Sequence, residues 1–165
     1  MSEITLNRLP KTLEELRAMP EAGLTSPEEV AALTVAVLAQ YPENPSETEK
    51  MLDFLRGPRP LNGIDKQFIK DRFRGKDYLM RSYFSGSSPE NNYAVKAPYT
   101  VVVTENANSR NQFSEGYLTL YIACSGADSP RPLKLRNKPS TGQWFLWEQQ
   151  LLTGIRIPKE ADVWA

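Results

Sequence analysis

Between Gly116 and Gln150, three runs of alternating side chains follow one another with almost no chain between them. "GYLTLYIAC" puts Leu118, Leu120 and Ile122 on one side and Tyr117, Thr119 and Tyr121 on the other. "RPLKLRNK" sets Leu133 and Leu135 against Lys134 and Arg136, and "QWFLWEQQ" is the third run. A period of two is the mark of a strand. The joining segments, "SGADSP" and "PSTG", hold only six and four residues. Parallel neighbours need a crossover of about a dozen residues or more, so these strands must run antiparallel. Upstream, "PYTVVVTE" is a β-branched strand started by Pro98, which brings the sheet to about four strands.

The first half of the chain is written for helices. Thr12 with Glu15, Ser26 with Glu29 and Ser46 with Glu49 each have the spacing of a capping box. Pro20 ends the first segment, Pro27 occupies the first position of the second, and Gly57 stops the third. Val30, Leu33, Val37, Leu38 and Tyr41 fall on one helical face, and Met51, Leu52 and Leu55 form the stripe of the next helix. A fourth helix is expected from Ile64 to about Arg74, where Ile64 with Phe68 and Ile69 with Phe73 are i,i+4 pairs that would meet on a buried side.

Helices first and a meander afterwards make an α+β fold: N-terminal helices packed on a curved antiparallel sheet of about four strands. A cystatin- or NTF2-like cone around a cavity is one concrete version. At 165 residues the chain reads as a single domain, residues 1–165, with 1–45 an N-terminal helical part and 46–165 the helix-and-sheet core.

Composition closes off several chemistries. There is no histidine, which removes Ser-His-Asp and Cys-His catalysis and the common zinc and iron ligand sets. Cys124 is the single cysteine, and its alternation with Leu118, Leu120 and Ile122 makes it a small buried hydrophobe rather than a nucleophile. No glycine-rich phosphate loop is present. No catalytic residue, metal site or cofactor is therefore assigned. The start lacks a basic segment followed by an apolar one, and the most apolar run, Val30 to Leu38, is too short for a bilayer. The expected setting is the cytoplasm, away from any membrane. Net charge is zero, but residues 1–55 carry four basic against ten acidic side chains, so the remainder carries the opposite excess.

Candidate sites are few, and each has a structural explanation beside it. Trp144 and Trp147 lie on opposite faces of the last strand, Trp144 with Leu146 and Glu148, Trp147 with Phe145. Both faces are thus apolar, and burial in the core is the preferred reading for each indole. A ligand pocket between helices and sheet would draw on Tyr117, Tyr121, Trp144 and Trp147, with Asp128, Arg131 or Glu148 supplying polarity. Asp128 and Arg131 sit in a turn that also needs such residues for its own backbone. Lys66, Lys70 and Arg74, spaced by four, make a basic stripe that suits an anion or nucleic acid, yet a solvated helix face explains it better. No nucleic-acid fingerprint accompanies it, and nucleic acid is not the expected partner.

The phrases "LRGPRPLNGIDKQFIKDRF", "YLMRSYFSGSSPENNY", "SGADSPRPLKLR" and "STGQWFLWEQ" resemble a family of small uncharacterised proteins from Firmicutes, including gut Clostridia, over roughly residues 50–165. The resemblance implies a bacterial domain of unknown function and brings no catalytic residues with it. From the residues themselves, the expected role is a non-catalytic binding or protein-interaction module, self-association included. The alternative is a small-molecule pocket, or a small enzyme, between helices and sheet.

Overall fold

The structure, a computed structural model, describes residues 1–165. Its order is β1 (Ser2–Leu6), α1 (Leu13–Arg17), α2 (Pro27–Leu38), α3 (Pro45–Arg56), α4 (Gly63–Phe73), β2 (Tyr99–Thr104), β3 (Tyr117–Ile122), β4 (Arg131–Lys138) and β5 (Gln143–Gln149). The α+β class and the antiparallel meander are as expected, but the sheet has five strands rather than about four, in the order β1-β2-β3-β4-β5. The addition is β1, which pairs with β2 from Ser2↔Val103 to Leu6↔Tyr99. Its five residues are too few for the alternation to stand out from the sequence. The sheet stays open, with β1 and β5 as its edges.

One face of the sheet is the core face. Val101, Val103, Leu118, Leu120, Ile122, Leu133, Leu135 and Leu146 are all buried there. Against it lies α2, which touches β1, β2, β3 and β5 as well as α3. A one-sided helix was expected here. Instead Val30 to Leu38 is buried on every side, because α2 is sandwiched between the sheet and the other helices. Ala31, Ala32 and Ala36 permit the close approach, and the Thr34 hydroxyl donates to the Val30 carbonyl at 2.9 Å, so no polar group is stranded. The space between α2 and the sheet is packed core.

The caps follow their physics with one shift. Thr12 accepts from the Glu15 N–H at 3.1 Å and Ser26 from the Glu29 N–H at 3.3 Å. In α3 the cap is Asn44, accepting from Glu47 N–H at 3.2 Å, with Pro45 at the first helical position; Ser46 lies inside the helix. In α4, Asn62 and Asp65 form a reciprocal box. Of the two expected apolar pairs in α4, only Ile69 and Phe73 are buried; Ile64 is 82% and Phe68 42% exposed. The helix meets the core through its last turns, where Phe73 stacks on Tyr41 at 4.8 Å between ring centroids, and its first turn projects past it.

Candidate ligand-binding cleft

On the other face of the sheet Tyr117, Tyr121 and Lys134 are half-buried and Arg136 is exposed, and one irregularity decides what β5 displays there. Leu135 pairs with Leu146 and Lys134 with Glu148, so Trp147 is an extra residue, a β-bulge. Simple alternation would send Glu148 to the core side with Leu146. The bulge returns it to the outer side, opposite Lys134, at 3.8 Å from the ammonium. Trp144 stays on the side of Leu146, half-buried, its ring 5.9 Å from that of Phe113. Its backbone N–H donates to the Leu24 carbonyl at 2.7 Å, which covers that edge of β5. Trp147 faces outward.

What meets Trp147 comes from the end of α3. Gly57 caps that helix with φ of 60°. A Cβ at this position would lie 2.5 Å from the Phe145 ring, so only glycine lets the chain cross directly over Phe145. Pro58 and Pro60 then limit the backbone on both sides of Arg59. The Arg59 guanidinium lies 3.7 Å from the Trp147 ring centroid and donates to the Trp147 carbonyl. Arg56 donates to the Arg59 carbonyl at 2.9 Å and pairs with Asp65 at 3.3 Å, holding the turn in place. Burial pushes the Arg56 guanidinium below its ordinary value, and Asp65 opposes that shift.

From the sheet side, β4 adds Arg136, whose guanidinium is 5.0 Å from both the Trp147 and Tyr117 rings. It donates to the Tyr117 hydroxyl at 2.9 Å, and the Tyr117 and Trp147 rings meet edge-on at 5.4 Å. Lys134 lies 5.7 Å from the Tyr117 ring. Cation and aromatic ring thus alternate across the face, an arrangement that holds planar cations in fixed positions at modest energetic gain.

Between the α3 turn and β4–β5 lies a cleft of about 340 Å³. Arg56, Arg59, Arg136 and Lys138 line it with Phe145 and Trp147, and no carboxylate does. Lys138 is exposed and its ammonium has no partner within the protein. A second recess of about 290 Å³ shares Arg56, Arg59 and Trp147 and adds Asp65, Phe68 and Glu148. The first therefore concentrates positive charge beside apolar walls, whereas the second is mixed. The guanidinium, ammonium and aromatic groups lining the first can hold and orient an anionic ligand. No group of three Asp, Glu or Cys side chains is placed to hold a metal ion.

The structure brings together Tyr117, Trp147 and Glu148 of the residues singled out from sequence, on the outer face rather than between helices and sheet. Tyr121 shares that face but lines a separate recess with Lys134 and Glu148. Asp128 and Arg131 belong elsewhere: Asp128 pairs with Arg156, and Arg131 donates to the Gly154 carbonyl at 2.8 Å, so both tie down the segment after β5. Lys66 and Lys70 are exposed on α4 outside the cleft, and Arg74 pairs with Asp71 at 3.3 Å. Cys124 is half-buried, its thiol 3.3 Å from the Ser82 hydroxyl. Sequence reading missed Arg56, Arg59, Arg136, Lys138 and Phe145 as site residues. The available signal was the arginine between two prolines in "GPRP" and the outward row Lys134, Arg136, Lys138.

A comparison with the curated proteins and with the solved structures finds no match. Residues 8–159 match the family described as Domain of unknown function (DUF6935), which takes in the N-terminal helices as well as the phrases noted above, and the chain belongs to that family.

Proposed function

We propose that this protein is a non-catalytic binding module that holds a small anionic ligand in the cleft between the α3 turn and the outer face of β4–β5. The observation that carries the reading is the lining itself: four cations, of which only Arg56 has a carboxylate partner, gathered around two aromatic rings. A concentration of one sign of charge in a concave site raises the local concentration of the opposite sign. Guanidinium groups bind phosphate and carboxylate by paired N–H donors. The volume, about 340 Å³, falls at the lower end of what small-molecule sites occupy. Of the residues singled out from sequence only Trp147 lines this cleft, and Arg56, Arg59, Arg136 and Lys138 supply its charge.

Isothermal titration with inorganic pyrophosphate at low salt tests the reading. Millimolar or tighter binding that Arg136→Gln weakens about tenfold, with unchanged melting temperature, supports it. Absence of binding, or binding indifferent to Arg136, overturns it.

In this proposal residues 1–165 act as one domain, with α2 against β1, β2, β3 and β5. The protein is proposed to be bacterial, after the resemblance, and cytoplasmic. The lone cysteine fits a reducing compartment. No helix is long and apolar enough to cross a membrane.

A second reading, self-association, has its own support in β1, which pairs with β2 on one side only and lies at the sheet edge. Light scattering across a concentration series tests it, and a constant monomer mass ends it.

A further inference from the structure

We infer that the ligand of the cleft is a planar aromatic or heteroaromatic compound carrying a phosphate group, its ring packed against Trp147 and its phosphate held by Arg136 and Lys138. This rests on the binding reading above and adds the ligand's class.

The cleft has two chemically distinct parts. One is apolar: the Trp147 and Phe145 rings, with Pro58 and Pro139. An anion alone makes no use of these walls. The indole face accepts a planar group, and the group it carries is the Arg59 guanidinium, 3.7 Å from its centroid, which a ligand ring would displace. That guanidinium sits in a turn that is exposed to solvent. A ligand ring that takes its place gains apolar burial and stacking on Trp147, against the loss of one solvent-exposed cation–ring contact.

The second part is cationic and comes from one strand. Arg136 and Lys138 are two residues apart on β4 and therefore project on the same side, roughly 7 Å apart along the strand. Arg136 is oriented by its bond to the Tyr117 hydroxyl, and Lys138 has no partner. A phosphate monoester between them offers three oxygens and close to two charges to the pair, more than the two oxygens and single charge of a carboxylate. The volume suits one ring system and one phosphate and is too small for a polymer to be enclosed. The neutral net charge of the chain also argues against a long phosphate backbone.

The test uses the full chain and three probes at one ionic strength: inorganic phosphate, phenyl phosphate and adenosine monophosphate. The expected result is that at least one ring-bearing phosphate binds about tenfold or more tighter than inorganic phosphate, the gain that a stacked ring supplies. Trp147→Leu should abolish the gain, bringing the ring-bearing probes to within about twofold of inorganic phosphate measured on the same variant. Lys138→Gln should weaken every probe alike. Equal affinity for all three probes overturns the inference while the anion-binding reading stands. So does a ring gain that survives Trp147→Leu. If no probe binds, both fall.

Discussion

The Arg59 guanidinium lies 3.7 Å from the centroid of the Trp147 ring and donates to the carbonyl of the same residue. One residue from a turn between helices and one from a strand bulge are thereby joined across 88 positions of chain. The contact is solvent-exposed, so its worth to stability is small, about 0.5–1 kcal/mol. Arg59→Ala should lower the urea midpoint only slightly. It should also shift tryptophan emission to the red, and the shift should vanish in a Trp147→Phe background, because Trp144 and Trp164 do not touch Arg59.

Gly57 lets the turn after α3 pass directly over Phe145, one wall of the cleft. A Cβ at position 57 would fall 2.5 Å from the ring and in a left-handed conformation with φ of 60°. Gly57→Ala is expected to cost about 2 kcal/mol or more, from backbone strain together with displacement of the ring. In a Phe145→Ala background the same change should cost less, since only the backbone component is left. Equal cost in both backgrounds, measured by urea denaturation, would show that the ring is not the obstacle.

Alkaline stability should depend on Tyr93. Its hydroxyl donates to the Arg156 carbonyl at 2.6 Å, and burial, reinforced by Cys124, raises its pKa from 10.0 to about 12. A raised pKa on an acid means that the fold favours the neutral form. The contribution is therefore complete below pH 10 and is lost as pH rises from there toward about 12. Tyr93→Phe should unfold with a shallower dependence on pH in this window, beginning from a lower baseline for want of the hydrogen bond. An unchanged slope would contradict the assignment.

Acid stability should depend on Glu47. Its carboxylate accepts the Leu13 N–H at 3.0 Å, so a side chain of α3 caps the start of α1, and it also takes a bond from Lys50 at 3.1 Å. The Leu13 N–H first and Lys50 second hold this carboxyl below its ordinary value of 4.5. Its contribution is present above about pH 4.5 and is lost as pH falls through the lowered value. Glu47→Gln should flatten the acid limb of a midpoint-versus-pH curve there, with no effect at alkaline pH.

Much of the fold was legible because local signals agreed. Capping residues, helical periodicity and four- to six-residue turns pointed to the same meander and helices. Three things escaped, each for a physical reason. β1 is short and acquires its identity only by pairing with β2, a hundred residues away in sequence. The burial of α2 on all sides and the exposure of Ile64 and Phe68 depend on how helices are placed, which periodicity does not encode. The β5 bulge reassigns Glu148 to the outer face, and a bulge leaves no mark in an alternation of "WFLWEQQ". The cleft depends on one of these, the bulge at Trp147, and on a further step that local sequence does not encode, the path of the α3 turn over Phe145. Of the cleft's lining Trp147 could be picked out as an aromatic strand residue, whereas Arg56 and Arg59 are brought to it only by the fold.

The most direct measurement is a titration of the ¹⁵N-labelled protein with inorganic pyrophosphate, followed through amide shifts. The account predicts saturable shifts confined to the Gly57–Pro60 turn, to Arg136–Lys138 and to Phe145–Trp147, with α4 unmoved. Shifts centred on Lys66, Lys70 and Arg74, or no saturable shift anywhere, would contradict it.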